Sequence, residues 1–228
     1  NTFFCLSEFI QTTPVDFFKK FKTYISPIQS DYQPKWLQIR DQRRAKHALY
    51  LETLEHSDFK VFEQVLATIP DNTQLQISNS AIIRYAQLFT IKNGINVFCN
   101  RGTSGIDGST STAIGAAFTN KKQTVFITGD LSFFYDSNAL WNKNIPANFR
   151  IVLINNSGGG IFKIIPGPGT TNALNYFETP HCLTAEHLAK TYEFEYQKAF
   201  STKTVTKELN AFFEVSEKPK ILEIFTPS

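Results

Sequence analysis

Two hydrophobic runs of the sequence end in polar residues that could bind one divalent cation together. Gly129-Asp130 follows the run at 125–127, and Asn155-Asn156 follows the run at 151–154. The glycines at 158–160 then provide backbone that can approach a phosphate closely. Because Mg²⁺ prefers carboxylate, amide, carbonyl and phosphate oxygens, the pattern favours a Mg²⁺-diphosphate site. Either dipeptide alone would indicate an ordinary turn.

A second polar stretch, residues 102–109 (Gly-Thr-Ser-Gly-Ile-Asp-Gly-Ser), allows two interpretations. Glycines and hydroxyls at the start of a helix suit an anion. The same residues could form a tight turn between a strand and a helix, with Asp107 or Ser109 as the helix N-cap. The stretch is neither a Walker A sequence nor a GxGxxG motif, so the sequence leaves both interpretations open.

Two arginines could bind substrate carboxylates near the same place. Arg84 lies four residues after Ser80, which puts both on one face of a helix, and Arg101 follows a predicted strand. Guanidinium groups bind carboxylates through paired hydrogen bonds. Surface arginines in weak ion pairs are the alternative. Ile161 and Phe162, after the glycine run, could line a substrate pocket or belong to the core.

The elements that must position these residues alternate along the chain. The predicted strands cover residues 73–78, 94–99, 123–128, 150–154, 195–198 and 220–225. The predicted helices cover residues 59–69, 80–90, 109–119, 136–141, 184–192 and 204–215. This alternation predicts an α/β fold, a parallel sheet with helices on both faces. In such a sheet ligands bind beyond the carboxyl ends of the strands, where the polar segments 79–80, 100–102, 129–130 and 155–156 would meet.

The sequence also predicts a division into segments. The predicted segments are 1–25, the end of a preceding domain; 26–57, a linker and connecting helix; and 58–228, the main domain. The first would contain a short strand at 3–10 and a helix with Pro14 in its first turn; the connecting helix would run from about 35 to 55. The alternative is an N-terminal extension packed on the main domain. Since the 228 residues include no methionine, we expect a processed chain or a piece of a longer one.

Bulk properties narrow the function classes. A hydrophobic fraction of 42% excludes a disordered chain. The net charge of +3 is mild, and the basic cluster at 40–46 is soon followed by acidic residues, which favours a solvated helix face over nucleic-acid binding. The histidines show no metal-ligand spacing, and three widely spaced cysteines indicate a reducing compartment. With no long apolar run and no signal-peptide pattern, we expect a cytoplasmic protein with no nucleic-acid or membrane partner.

Together these motifs resemble one enzyme family. The spacing from Gly129-Asp130 to Asn155-Asn156 is similar to the thiamine diphosphate-binding motif, although Leu131 stands where many members have Gly. A narrower similarity over residues 79–162, weaker over most of the chain, is to the MenD family of 2-succinyl-5-enolpyruvyl-6-hydroxy-3-cyclohexene-1-carboxylate synthases. The residues that carry it are Asn79-Ser80, Arg84, the runs 100–108 and 129–132, Tyr135-Asp136 and the run 155–162.

The resemblance implies a transferase of menaquinone biosynthesis. Such an enzyme decarboxylates 2-oxoglutarate on thiamine diphosphate, held with Mg²⁺ or Mn²⁺, and adds the succinyl carbanion equivalent to isochorismate. Its subunit has three domains, and this chain would be the C-terminal, diphosphate-binding domain plus the end of the middle domain. The full-length protein would be a homodimer or homotetramer.

The resemblance also implies roles for individual residues. The metal ligands would be Asp130, Asn156 and the carbonyl of Gly158. The cofactor would be lined by Ser104, Gly105, Ile106, Gly129, Leu131, Ser132, Gly159 and Ile161, with Ile106 as the bulky residue under the thiazolium. The substrate would contact Ser80, Arg84, Arg101 and Phe162.

The same family places its activating glutamate on the N-terminal domain, across a subunit interface. That domain lies outside these 228 residues, so we expect the chain alone to bind Mg²⁺-diphosphate weakly and to have no turnover. The alternative functions are another thiamine diphosphate-dependent 2-oxoacid decarboxylase or acetohydroxyacid synthase, and a non-catalytic module that binds nucleotides or nucleic acid through residues 40–46.

Overall fold

The computed structural model describes residues 4–227, which form two compact units divided between Tyr50 and Leu51. In the first unit, α1 (Pro14–Tyr24) begins where Thr13 Oγ1 accepts a hydrogen bond from the Asp16 backbone at 3.1 Å. The predicted helix here is confirmed. The predicted strand is wrong for residues 4–10, which form no strand, and residue 3 lies outside the described residues.

The connecting helix begins and ends slightly earlier than the sequence indicated. Helix α2 (Tyr32–Thr53) begins inside the predicted linker. Its apolar residues have no clear helical periodicity, so the polar start at residues 32–34 resembled a loop. The three-segment division into 1–25, 26–57 and 58–228 stays a prediction.

The second unit alternates strands and helices throughout. Its strands are β1 (Gln74–Ile77), β2 (Asn96–Cys99), β3 (Thr124–Gly129), β4 (Phe149–Asn155), β5 (Glu195–Ala199) and β6 (Lys220–Phe225). Its α-helices are α3 (Asp58–Thr68), α4 (Ala81–Ala86), α5 (Ser109–Phe118), α6 (Asp130–Tyr135), α7 (Ile161–Ile164), α8 (Leu174–Glu178), α9 (Glu186–Thr191) and α10 (Thr202–Phe212). Short 3₁₀ helices cover Ser137–Trp141 and Pro168–Thr170. The sequence did not predict the short helices α6, α7 and α8, and α4 ends well before residue 90.

All six strands pair in parallel, in the order β2-β1-β3-β4-β6-β5. This confirms the α/β class with a parallel sheet. Gly129 of β3 is in register with Ile154 of β4. The residues that follow these two central strands therefore emerge side by side at the carboxyl edge.

Hydrophobic cores cover both faces of the sheet. On one face Val125, Ile127, Val152 and Ile154 pack with α3, α4 and α10. On the other, Phe126, Ile151 and Leu153 pack with α5, α9 and Phe133 of α6. Alternate residues of β3 and β4 thus enter opposite cores, which is why both strands read as continuous apolar runs. The covered faces leave the strand ends as the place for a ligand.

A buried arginine lies at the opposite, amino end of β4. Arg150 is fully buried, and its guanidinium donates to the carbonyls of Ala147, Phe149, Phe212 and Glu214 at 2.7–3.0 Å. Burial lowers its pKa. Two of these carbonyls lie at the end of α10, so this one side chain joins the central strand to that helix.

Within residues 4–227, no helix combines the length and the apolar character needed to cross a bilayer.

Candidate functional site

A cavity of about 350 Å³ opens at the carboxyl ends of the central strands. The sequence-predicted residues that line it are Ser80, Ser104, Ile106, Gly129, Asp130, Leu131, Ser132, Asn156, Gly158, Gly159, Ile161 and Phe162. Three predicted residues, Arg84, Arg101 and Gly105, are not among its lining residues. Three of the four polar strand ends, at 79–80, 129–130 and 155–156, thus meet in this cavity, whereas the segment at 100–102 contributes no lining residue.

Asp130 is the first residue of α6 and lies buried in this cavity. Its Oδ1 accepts a hydrogen bond from the Leu131 backbone at 2.7 Å, and its Oδ2 accepts one from the Gly158 backbone at 2.9 Å. The carboxylate therefore joins the end of β3 to the glycine run after β4. Burial raises the pKa of Asp130, the two backbone bonds and nearby His181 oppose the rise, and nearby Asp58 adds to it.

His181 approaches the same carboxylate, although sequence reasoning assigned it no role. Its Nε2 lies 3.2 Å from Asp130 Oδ2, outside hydrogen-bond geometry, and is buried without a hydrogen-bond partner among the described residues. Its Nδ1 accepts from the Leu183 backbone at 3.1 Å, so in the neutral ring the proton belongs to Nε2. His181 is therefore a proton-bearing neighbour of Asp130.

The two asparagines at the end of β4 have different roles. Asn155 is buried: its amide nitrogen donates to Glu223 Oε1 at 2.7 Å, and its Oδ1 accepts from the Ser157 backbone at 3.0 Å. Glu223 also accepts from Tyr196 and from the Ala185 backbone at 2.6 and 3.0 Å. Asn155 thus fixes the loop that carries Asn156 into the cavity.

Asn156 lines the cavity itself. Its Nδ2 donates to Asp58 Oδ2 at 2.9 Å, which leaves the amide oxygen as the group that can bind a cation. Burial raises the pKa of Asp58, while hydrogen bonds from Thr226 and Asn156 oppose that rise. Sequence reasoning missed Asp58 because an acidic residue in the first turn of a helix is ordinary helix chemistry.

The glycine run is enclosed by the segment at 177–181. The Gly159 backbone donates to the Glu178 carbonyl at 2.6 Å, and the His181 backbone donates to the Ser157 carbonyl at 3.2 Å. A Cβ added at Gly158 would lie 2.7 Å from the Glu178 carbonyl, and Gly158 has a φ of +152°. The backbone here therefore has no room for a side chain.

We predict that Gly158→Ala destabilises the chain because it adds both a clash and backbone strain. The expected loss of unfolding free energy is about 1–3 kcal/mol, measured by urea denaturation. Gly169→Ala is the matched control, since a Cβ there meets nothing within 4 Å and no positive φ opposes it. Equal stability of the two variants would contradict this packing.

The loop before α5 is held in place by polar contacts. Asn79 donates to the carbonyl of Asn100 and, at 2.5 Å, to that of Gly105. Ser132 Oγ donates to the Ile106 carbonyl at 2.6 Å. Gly105 therefore anchors the loop through its carbonyl, whereas Ile106 reaches the cavity.

The start of α5 differs from the prediction. Its N-cap is Gly108, with a φ of +76°, and is neither Asp107 nor Ser109. The side chain of Asp136 instead accepts from the Ser111 backbone and hydroxyl, both at 2.7 Å. The cap thus comes from a residue distant in sequence, which local sequence rules do not detect.

Three serines beside the site have left-handed backbones. Ser80, Ser104 and Ser157 have φ values of +68°, +61° and +65°, a region that non-glycine residues seldom adopt. Each such conformation costs of order 1–3 kcal/mol, and such strain clusters at functional sites. Ser80 and Ser157 follow the ends of β1 and β4, and Ser104 lies in the loop between β2 and α5.

The two predicted arginines lie away from the cavity wall. Arg84 is exposed on α4. Arg101 is exposed as well, and its Nη1 donates to Oδ1 of Asn79, a cavity residue, at 3.4 Å. Their substrate contacts stay predictions, as do the other roles assigned from the sequence.

The chemistry of these residues fits a magnesium-diphosphate group. Among residues 4–227, no group of three or more His, Cys, Asp or Glu side chains is placed to hold a metal ion. A cation beside Asp130 would therefore need amide, carbonyl and phosphate oxygens, which Mg²⁺ accepts. A side chain at Gly158 or Gly159 would clash with the Glu178 or Phe177 carbonyl, so only glycine keeps this backbone in place at the cavity.

Comparisons with known proteins are consistent with this geometry. No protein-family model matches the chain. Two curated 2-succinyl-5-enolpyruvyl-6-hydroxy-3-cyclohexene-1-carboxylate synthases, from Flavobacterium psychrophilum and Flavobacterium johnsoniae, are 54% identical over the whole chain, which covers 42% and 41% of their lengths. The synthase of Porphyromonas gingivalis is 36% identical, with 41% of its length covered. The chain therefore spans about two-fifths of the length of these relatives.

One solved structure shares the fold. It belongs to a Mycobacterium smegmatis enzyme described as thiamin diphosphate-dependent, with a TM-score of 0.58 and 19% identity over 77% of this chain and 34% of that one. At this identity the similarity concerns the fold alone.

Proposed function

Because the chain belongs to the 2-succinyl-5-enolpyruvyl-6-hydroxy-3-cyclohexene-1-carboxylate synthase (MenD) family, we propose that it forms the diphosphate-binding domain of such an enzyme. The cofactor would be thiamine diphosphate with Mg²⁺ or Mn²⁺. The observation that carries this proposal is the meeting of Asp130, Asn156 and the glycines at 158–160 in one cavity.

The residues of the cavity divide the binding task. Asp130 and Asn156, through side-chain oxygens, and Gly158, through its carbonyl, would hold the metal ion. Gly159 would let the diphosphate approach the backbone, while Ile106 would support the cofactor ring. Bound thiamine diphosphate supplies carbanion stabilisation, and the chain positions it and shields it from water.

The whole protein would transfer the succinyl unit of 2-oxoglutarate to isochorismate as a step of menaquinone biosynthesis. Both substrates carry more than one carboxylate, and Ser80, Arg84 and Arg101 would bind these carboxylates at the rim of the site. The activating glutamate would come from an N-terminal domain. Residues 1–25 would form the C-terminal end of a middle domain. The full-length protein would be a cytoplasmic homodimer or homotetramer.

An activity comparison tests this function. The full-length protein should consume 2-oxoglutarate with isochorismate as acceptor, whereas the 228-residue chain should show no turnover because it lacks the activating glutamate. Product formation is followed by chromatography. In a parallel reaction, pyruvate, a second 2-oxoacid, replaces isochorismate as the acceptor. Preference for the 2-oxoacid acceptor would indicate an acetohydroxyacid synthase-like enzyme. Turnover by the chain alone would overturn the assignment of the missing glutamate.

A further inference from the structure

We propose that Asp58 is a positioning residue that orients Asn156 for metal binding, an inference that rests on the proposed function of the cavity. Asp58 begins α3 and lines the cavity, 98 positions before Asn156 in the chain. Its Oδ2 accepts a hydrogen bond from Asn156 Nδ2 at 2.9 Å. None of the strand-end motifs includes it.

The contact decides which end of the Asn156 amide is available. An asparagine side chain has one oxygen that accepts and one NH₂ group that donates, and a hard cation binds the oxygen. Since Asp58 holds the NH₂ group, the oxygen is the end that remains for a cation. Without Asp58 the amide could turn and present its NH₂ group to the metal.

Asp58 is itself fixed on its other side. Thr226, just after β6, donates its hydroxyl to Asp58 Oδ1, and its backbone donates to the Asn155 carbonyl at 3.0 Å. Each carboxylate oxygen of Asp58 thus accepts from one neighbour, and these two contacts hold the carboxylate against the Asn156 amide.

The test measures Mn²⁺ binding by electron paramagnetic resonance, in the presence of thiamine diphosphate, on the 228-residue chain. Loss of a residue that orients a metal ligand weakens metal affinity about 10–100-fold. We expect Asp58→Ala to weaken Mn²⁺ affinity by the same factor. Asp58→Asn, which keeps an oxygen in place to accept from Asn156, should recover most of it. Asp71→Ala is the matched control, because it removes an exposed acidic residue in the turn before β1 and should bind as wild type.

A second measurement needs no variant. Hydrogen exchange of the Asn156 side-chain NH₂ group, followed by NMR, should be slower than that of exposed asparagines because Asp58 accepts its proton. Fast exchange of this group, or wild-type Mn²⁺ affinity in Asp58→Ala, would overturn the inference and leave the site itself standing. Failure of the wild-type chain to bind Mn²⁺ with the cofactor would instead overturn the proposed function.

Discussion

Asp130→Ala should abolish the Mg²⁺-dependence of thiamine diphosphate binding and reduce the activity of the full-length protein at least about 100-fold. Residues that only support metal ligands cost about 10–100-fold when they are lost, and Asp130 is proposed as the charged ligand itself. It is also the carboxylate that joins the end of β3 to the glycine run through Gly158. Equilibrium dialysis of Mg²⁺ with the cofactor measures the effect.

The matched control is Asp71→Ala. Asp71 is exposed in the turn before β1, at the opposite edge of the sheet, so its removal changes the net charge equally without touching the cavity. Retention of metal-dependent cofactor binding in Asp130→Ala, or its loss in Asp71→Ala, would show that the cation binds elsewhere. Circular dichroism confirms that both variants are folded.

Arg150→Met should cause a large loss of stability. Methionine fills much of the same space but removes the buried donor that four carbonyls share. Each buried polar group left unpaired costs about 1–3 kcal/mol, so the expected loss is at least about 3 kcal/mol of unfolding free energy. Urea denaturation followed by circular dichroism measures it.

Arg43→Met is the control for the same change of residue type. Arg43 is exposed on α2, and surface substitutions of this kind stay within about 0.5 kcal/mol of wild type. If the two arginine variants were equally stable, the hydrogen bonds of Arg150 would not be holding α10 to the central strand.

The sequence predicted the parallel sheet because its central strands are buried on both faces. β3 and β4 read as unbroken apolar runs, and turn residues follow each strand, so the strand ends could be located within about two residues. The polar segments at those ends had to meet once the strands were parallel. This is why the predicted cavity residues from Ser80 to Phe162 come together.

Contacts between residues distant in sequence could not be predicted in this way. Asp58 reaches Asn156 from α3, His181 approaches Asp130 from the segment after α8, and Asp136 caps α5. No spacing rule connects such pairs, because each depends on how elements pack. Short helices such as α7 were missed for a related reason, since four residues carry too little periodicity.

The two arginines predicted to bind substrate show the opposite limit. Helical spacing correctly placed Arg84 on the helix after β1, yet α4 is short and Arg84 is exposed. A residue's place on a helix does not decide whether its side chain reaches a neighbouring cavity.

Calorimetric titration of thiamine diphosphate into the 228-residue chain, with and without Mg²⁺, tests the central claim most directly. Binding should be weak but measurable with Mg²⁺ and absent when the metal is chelated, because Asp130 and Asn156 would hold the diphosphate through the cation. Binding of equal strength in both conditions, or no binding in either, would contradict a metal-diphosphate site at the carboxyl ends of β3 and β4.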